Sequence, residues 1–310
     1  MRIPLLICLF ILSCQEPKSN ISSSSPSPTI SPKYSLAQWS YHKELFAGDM
    51  SNTDFIREAS EMGFDGVEFV SQFFQDKVED FDFLDTLKSH LHKHNIAPIM
   101  IMVDLAGDLG DSDLEARAHA LEAHKKWVDA SNYIGCKYTR VNAHGNGSPD
   151  EALTNCKSAL TELATYAEEN GITILVENHG GHSSDADWLI ELIESTYTTN
   201  VKALADFDNW CLARENGELW GAPCIKWYDR YEGMDKLLPY AAGLSLKTFE
   251  FDTEGYAVRT DFKKMFALIK KHDYQGYLGV EYEGDLLPAK QGILKTLALA
   301  RRLDGSAAKN

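Results

Sequence analysis

Two hydrophobic periods alternate along nearly the whole chain. Short apolar runs of a strand's length are each followed by a stretch in which apolar positions return every three or four residues, the mark of an amphipathic helix. Strands are predicted near Ser35–Ser40, Gly66–Val70, Pro98–Val103, Tyr138–Asn142, Thr173–Glu177, Lys202–Phe207, Gly243–Thr248 and Tyr277–Glu281. Between them, Asn52 and Thr53 stand where a helix through Phe55, Ile56, Ala59 and Met62 needs its cap, with Gly63 as its stop. Asp111 and Ser112 open a longer helix carrying Leu114, Ala118, Leu121, His124 and Val128, and Ser148-Pro149-Asp150-Glu151 opens another that Gly171 closes. Eight strand–helix units in a row predict an α/β fold: a single (β/α)8 TIM barrel over residues 34–304, with a short tail at 305–310.

The last four predicted strands each end on an ionisable residue: Glu177, Asp206, Lys247 and Glu281, spaced 29, 41 and 34 positions apart. A parallel barrel gathers such strand ends at one mouth. Two carboxylates beside a small substrate suit proton transfer next to a carbonyl, with Glu177 as candidate base and Glu281 as its opposite acid/base. Asp206 adds a third anionic donor. Three crowded carboxylates repel unless a cation neutralises them, so a divalent ion, Mn²⁺ or Mg²⁺, on Glu177, Asp206 and Glu281 is expected.

Candidate substrate contacts surround these residues. Asn142 and His144 follow the fourth strand and His179 the fifth, while Trp39 and His42 close the first. The alternative for each loop histidine is a structural bond to backbone. Glu68 ends the second strand and either joins the site or pairs with an arginine inside the barrel. His90, His92 and His94 fall at a helix end, where solvent and the helix dipole suit them, and are read as surface. A long interruption between Asn209 and Tyr228 holds Trp210, Trp220 and Trp227, either as a wall for a sugar ring or as a loop clamped by its own aromatics.

Composition changes the picture at the N-terminus. Arg2 and the apolar run to Leu12 are too short to span a bilayer and read as a secretory signal over residues 1–13. Cys14 after Ser13 is expected to carry lipid, and the Ser/Pro-rich residues 14–33 to form a tether. An exported bacterial lipoprotein, periplasmic or at the cell surface, is thus expected to meet membrane only through its anchor. Export also favours a Cys211–Cys224 disulfide across the tryptophan loop, whereas Cys136 and Cys156 read as buried thiols. A formal net charge of −16 repels phosphate backbones and argues against nucleic acid as a partner.

These strand-end residues resemble the xylose-isomerase-like barrels, a family of sugar isomerases, ketose 3-epimerases, inosose dehydratases and apurinic endonucleases. The resemblance spans residues 34–302. It implies a metal held by Glu, Asp, His and Glu at the ends of strands five to eight; Glu177, Asp206 and Glu281 match, and Lys247 stands where the histidine is expected. Ketose epimerases of the family carry Asp-x-x-His after the sixth strand, which makes Asn209 a substrate contact here. The lysine leaves three readings: a three-carboxylate metal site completed by water or His179, a metal-free site in which Lys247 stabilises an enediolate, or a vestigial site. The expected activity is sugar isomerisation or epimerisation through an enediolate on a small carbohydrate. Its rivals are a 3-keto-glycoside lyase or hydratase on the same site, and a sugar-binding lipoprotein without turnover.

Overall fold

A computed structural model describes residues 32–306. The signal, Cys14, nearly all of the tether and residues 307–310 lie outside the described residues. Among the described residues no helix is long and apolar enough to cross a membrane.

The strands are β1 Lys33–Ala37, β2 Gly66–Val70, β3 Ala97–Met102, β4 Tyr138–Asn142, β5 Thr173–Glu177, β6 Val201–Asp206, β7 Cys211–Arg214, β8 Cys224–Trp227, β9 Ala241–Thr248 and β10 Tyr277–Tyr282. Eight of them close a parallel barrel in the order β1-β10-β9-β6-β5-β4-β3-β2, as the alternating periodicity predicts. The remaining two, β7 and β8, form an antiparallel hairpin inside the stretch expected to be an irregular loop. The Cys211–Cys224 disulfide ties that hairpin, its Cα atoms 5.9 Å apart, and Cys136 and Cys156 are free and buried.

Strand alternation sorts the barrel into two apolar compartments. Ile174 and Val176 point out to the helices, in the large core they share with Val141, Ala203 and Leu246. Leu175 and Leu204 point in, where they pack with Val70, Met100 and Met102. The same parity turns Glu177, Asp206, Lys247 and Glu281 toward the barrel axis at the upper end.

Helix starts fall one or two residues from two of the expected caps. Ser51 caps Asn52–Glu61, accepting from the Asp54 amide at 3.1 Å while Asp54 accepts from the Ser51 amide at 3.1 Å. The Asn52 side chain is committed elsewhere, accepting from Gln38 at 2.6 Å and donating to the Phe73 carbonyl at 3.1 Å. Asp113 caps Leu114–Ile134. Ser148 and Glu151 form the expected capping box on Pro149–Glu169. His90, His92 and His94 lie in the last turns of Phe81–His94, and His92 is exposed.

Candidate active site

The barrel mouth opens into a cavity of about 740 Å³ whose wall includes Arg140, Glu177, Lys247, Glu281 and Glu283. Around the rim the charged strand ends run Glu177, Asp206, Lys247, Glu281, because β5, β6, β9 and β10 are consecutive neighbours. Glu281 is level with Lys247 in the β9–β10 register. Lys247, only 4% exposed, sits among three carboxylates, its Nζ 3.5 Å from Asp206 Oδ2, 3.5 Å from Glu281 Oε2 and 3.0 Å from Glu283 Oε1. Ser245 Oγ donates to Glu281 Oε2 at 2.7 Å.

Asp206 lies behind this wall and does not line the cavity. It is fully buried, and its Oδ1 accepts the backbone N–H groups of Asp208 and Asn209, each at 2.8 Å. Its own amide donates to Asn178 Oδ1 at 2.8 Å. The carboxylate thus turns the chain out of β6 and offers Lys247 its other oxygen.

A second buried cation stands on β4. Arg140 Nη1 donates to Asp104 Oδ1 at 2.7 Å and to Asn142 Oδ1 at 3.0 Å, and its Nε lies 2.9 Å from Glu177 Oε2. Asn142 donates to the same Asp104 oxygen at 2.8 Å, and Asn209 Nδ2 donates to Glu177 Oε1 at 3.1 Å. Glu177 is therefore held between an arginine and an amide. Glu68, lower in the barrel, accepts from Ser35 Oγ at 2.6 Å and pairs with no arginine within salt-bridge distance.

Burial and charge set the protonation states. Burial raises Glu177 and Glu281 well above the usual carboxylate range; Arg140 opposes this at Glu177 and Lys247 opposes it at Glu281. Burial likewise pushes Glu68 to about 7. For Lys247 burial works against the charge, but Asp206, Glu281 and Glu283 overcome it and hold the ammonium protonated. His179 is driven toward the neutral form by burial and by Arg140.

The cavity brings together most of the predicted contacts. Trp39, Asn142, His144, His179 and Asn209 all line it. His144 is also committed to backbone, donating from Nε2 to the His179 carbonyl at 2.8 Å, while the buried Nδ1 of His179 has no hydrogen-bond partner. His42 is a correction: it does not line the cavity but donates to the Trp39 carbonyl at 2.8 Å and stacks on the Trp39 ring at 5.0 Å. The three tryptophans divide. Trp210 is fully buried against Gly233, where a Cβ would meet its ring at 2.1 Å; Trp220 lines the cavity 4.6 Å from the His179 ring; Trp227 is half-exposed on β8. Gly180, at φ +84°, lets the chain pass beneath Trp220.

Sequence reasoning overlooked Arg140, Asp104 and Glu283. Arg140 and Glu283 sit two residues from Asn142 and Glu281, so strand parity alone places each beside a residue already singled out.

Against known proteins, residues 56–303 match the family described as xylose isomerase-like TIM barrel. The chain belongs to this family. Among solved structures it resembles D-psicose 3-epimerase in the presence of D-fructose (TM-score 0.68, 12% identity, 88% of this chain and 99% of that one). It also resembles the 3-keto-D-glucoside 4-epimerase YcjR from E. coli (TM-score 0.65, 17% identity, 87% and 99%). A probable endonuclease 4 from Thermoplasma acidophilum is 22% identical over 218 residues, covering 67% of this chain and 70% of that protein.

The divalent ion expected at this family's strand ends does not fit the side chains present. Among the described residues no three His, Cys, Asp or Glu side chains converge closely enough to hold a metal ion. Of the expected ligands, Asp206 spends one oxygen on backbone amides, Glu177 faces Arg140, and Glu281 and Asp206 share the ammonium of Lys247. Two cations of the chain, Arg140 and Lys247, already pair with these donors.

Proposed function

We propose that the chain is a sugar isomerase or epimerase that moves a proton at the carbon next to a carbonyl. The observation that carries this reading is a pair of buried carboxyls with raised pKa values, Glu177 and Glu281, lining one cavity with a buried ammonium. Glu177, fixed by Asn209 and Arg140, takes the C–H proton. The electron pair passes to the carbonyl oxygen, where the Lys247 charge stabilises the resulting enediolate. Burial lifts both carboxyls toward neutral pH, so that one can act ionised as base while Glu281, in its acid form, returns a proton to carbon or oxygen. The unpartnered Nδ1 of His179 and the amide of Asn142 are suited to sugar hydroxyls.

The likeness to a ketose epimerase and a 3-keto-D-glucoside epimerase supports this choice of substrate. A net charge of −16 and an acid-lined cavity speak against the nucleic-acid chemistry that the endonuclease relative's name describes. The experiment is incubation with ketohexoses and 3-keto-glucosides in D₂O, read by NMR. The expected result is deuterium beside the carbonyl with an isomerised or epimerised product, falling about 10³-fold in Glu177→Gln. Binding without exchange in either protein contradicts turnover and leaves a sugar-binding role.

A second reading draws on the rim. Trp39, Leu219 and Trp220 line the same cavity as the charged groups and could serve as a wall for a glycosidic partner. The same proton abstraction followed by loss of a group at the adjacent carbon makes a 3-keto-glycoside lyase. An unsaturated product in the same NMR experiment identifies it.

We also propose that the protein works outside the cytoplasm, since its disulfide suits an oxidising compartment. Palmitate labelling of expressing cells, lost in Cys14→Ala, is the expected result; unlabelled wild type contradicts the anchor.

A further inference from the structure

We infer that Lys247 takes the place of a divalent cation, so that this site carries its positive charge in the chain and excludes a metal ion. For catalysis the inference rests on the isomerase reading above; for metal exclusion it stands on geometry alone. Lys247 projects from β9 between Asp206 on β6 and Glu281 on β10, the two neighbouring strands. Its Nζ stands 3.0 to 3.5 Å from one oxygen each of Asp206, Glu281 and Glu283. A magnesium-sized ion needs oxygens at about 2.1 Å, and the ammonium, 3.0 to 3.5 Å from these oxygens, occupies the middle of the cluster and offsets part of the charge that would attract the ion.

The remaining carboxylates are spoken for. Asp206 turns its other oxygen to two backbone amides, and Glu177 meets Arg140 on one oxygen and Asn209 on the other. A metal would have to expel the lysine and break the arginine contact together. The ammonium, by contrast, makes no aligned hydrogen bond to any of its three carboxylates, so its protons remain available to an oxygen of a sugar in the cavity. A fixed ammonium beside a developing enediolate oxygen supplies electrostatic stabilisation without a change in coordination.

The test is equilibrium dialysis of the folded chain against Mn²⁺, Zn²⁺ and Mg²⁺, with metal analysis and thermal melts, on wild type, Lys247→His and Lys247→Gln. Wild type is expected to keep less than about a tenth of an equivalent and to melt at an unchanged temperature. Lys247→His is expected to gain about one equivalent and a metal-dependent rise in melting temperature. If that variant does not fold, Lys247→Gln, which leaves the carboxylates without their ammonium, is expected to gain metal in its place. One equivalent in wild type that Asp206→Asn loses overturns the inference. So does a folded Lys247→His that binds no metal, because the lysine is then not what excludes the ion. A wild type that excludes metal yet turns over no keto-sugar upholds the inference and overturns the isomerase reading instead.

Discussion

Arg140 and Lys247 are two buried cations on opposite flanks of one cavity, and they are held in different ways. The guanidinium of Arg140 is locked by aligned bonds to Asp104 and Asn142 and braces Glu177 from behind. The ammonium of Lys247 is held by charge alone, at 3.0 to 3.5 Å from three carboxylates. A planar fork fixes geometry, whereas a point charge on a flexible stem keeps its protons for a newcomer. Under the isomerase reading proposed above, the difference gives positioning to the first and reaction chemistry to the second.

The sharpest way to break that contrast is to remove the charge of Lys247. Lys247→Gln is expected to lower the rate of proton exchange about 10³-fold, the scale of a lost oxyanion donor, while KM moves far less. An equal loss in KM alone would make the lysine a binding residue. Arg140→Lys keeps a charge and discards the fork. It is expected to lower kcat about 10²-fold through a loosened Glu177 and to cost about 1–3 kcal/mol in urea unfolding. Full activity in that variant would show that charge, not geometry, is what Arg140 contributes.

Deeper in the barrel, Glu68 lacks any such cation and sharpens the comparison through pH. Burial lifts its pKa from 4.5 to about 7, so the folded state holds the proton more tightly than the unfolded chain between those values. Stability is expected to fall as pH rises through that window, by up to about 3 kcal/mol from this group. Glu68→Gln is expected to flatten the profile and to be the more stable protein at pH 8. Parallel profiles for the two proteins would contradict the assignment. The smallest effect belongs to the rim: replacing both Cys211 and Cys224 by alanine is expected to loosen the Trp220 wall and raise KM tenfold or less, about the worth of one aromatic contact, with kcat unchanged.

The barrel was legible because burial on two faces writes continuous apolar runs, and eight of them recur at one spacing. The charged ends of β5, β6, β9 and β10 were legible for the same reason, since a buried run that stops on Glu177 or Lys247 is abrupt. Partnerships were not. Asp104 follows β3 by two residues and meets Arg140 36 positions later, a contact that neither period nor spacing announces. The retreat of Asp206 behind Lys247 depends on the turn in which the Asp208 and Asn209 amides donate to its carboxylate, and the hairpin of β7 and β8 was hidden by glycine, proline and cysteine where a longer alternation would have shown strands. His42, aromatic and polar beside Trp39, reads as a pocket residue until the Trp39 carbonyl is found to hold it.

The central claim is that this chain moves a carbon-bound proton using a charge of its own. It is tested most directly by the rate of deuterium entry into a keto-sugar, measured on the chelator-treated protein with and without Mn²⁺ or Mg²⁺ restored. The same rate, within about twofold, is expected in every arm for the wild type, and a loss of about 10³-fold in chelator-treated Lys247→Gln. Exchange that stops on chelation and returns with the metal would contradict it.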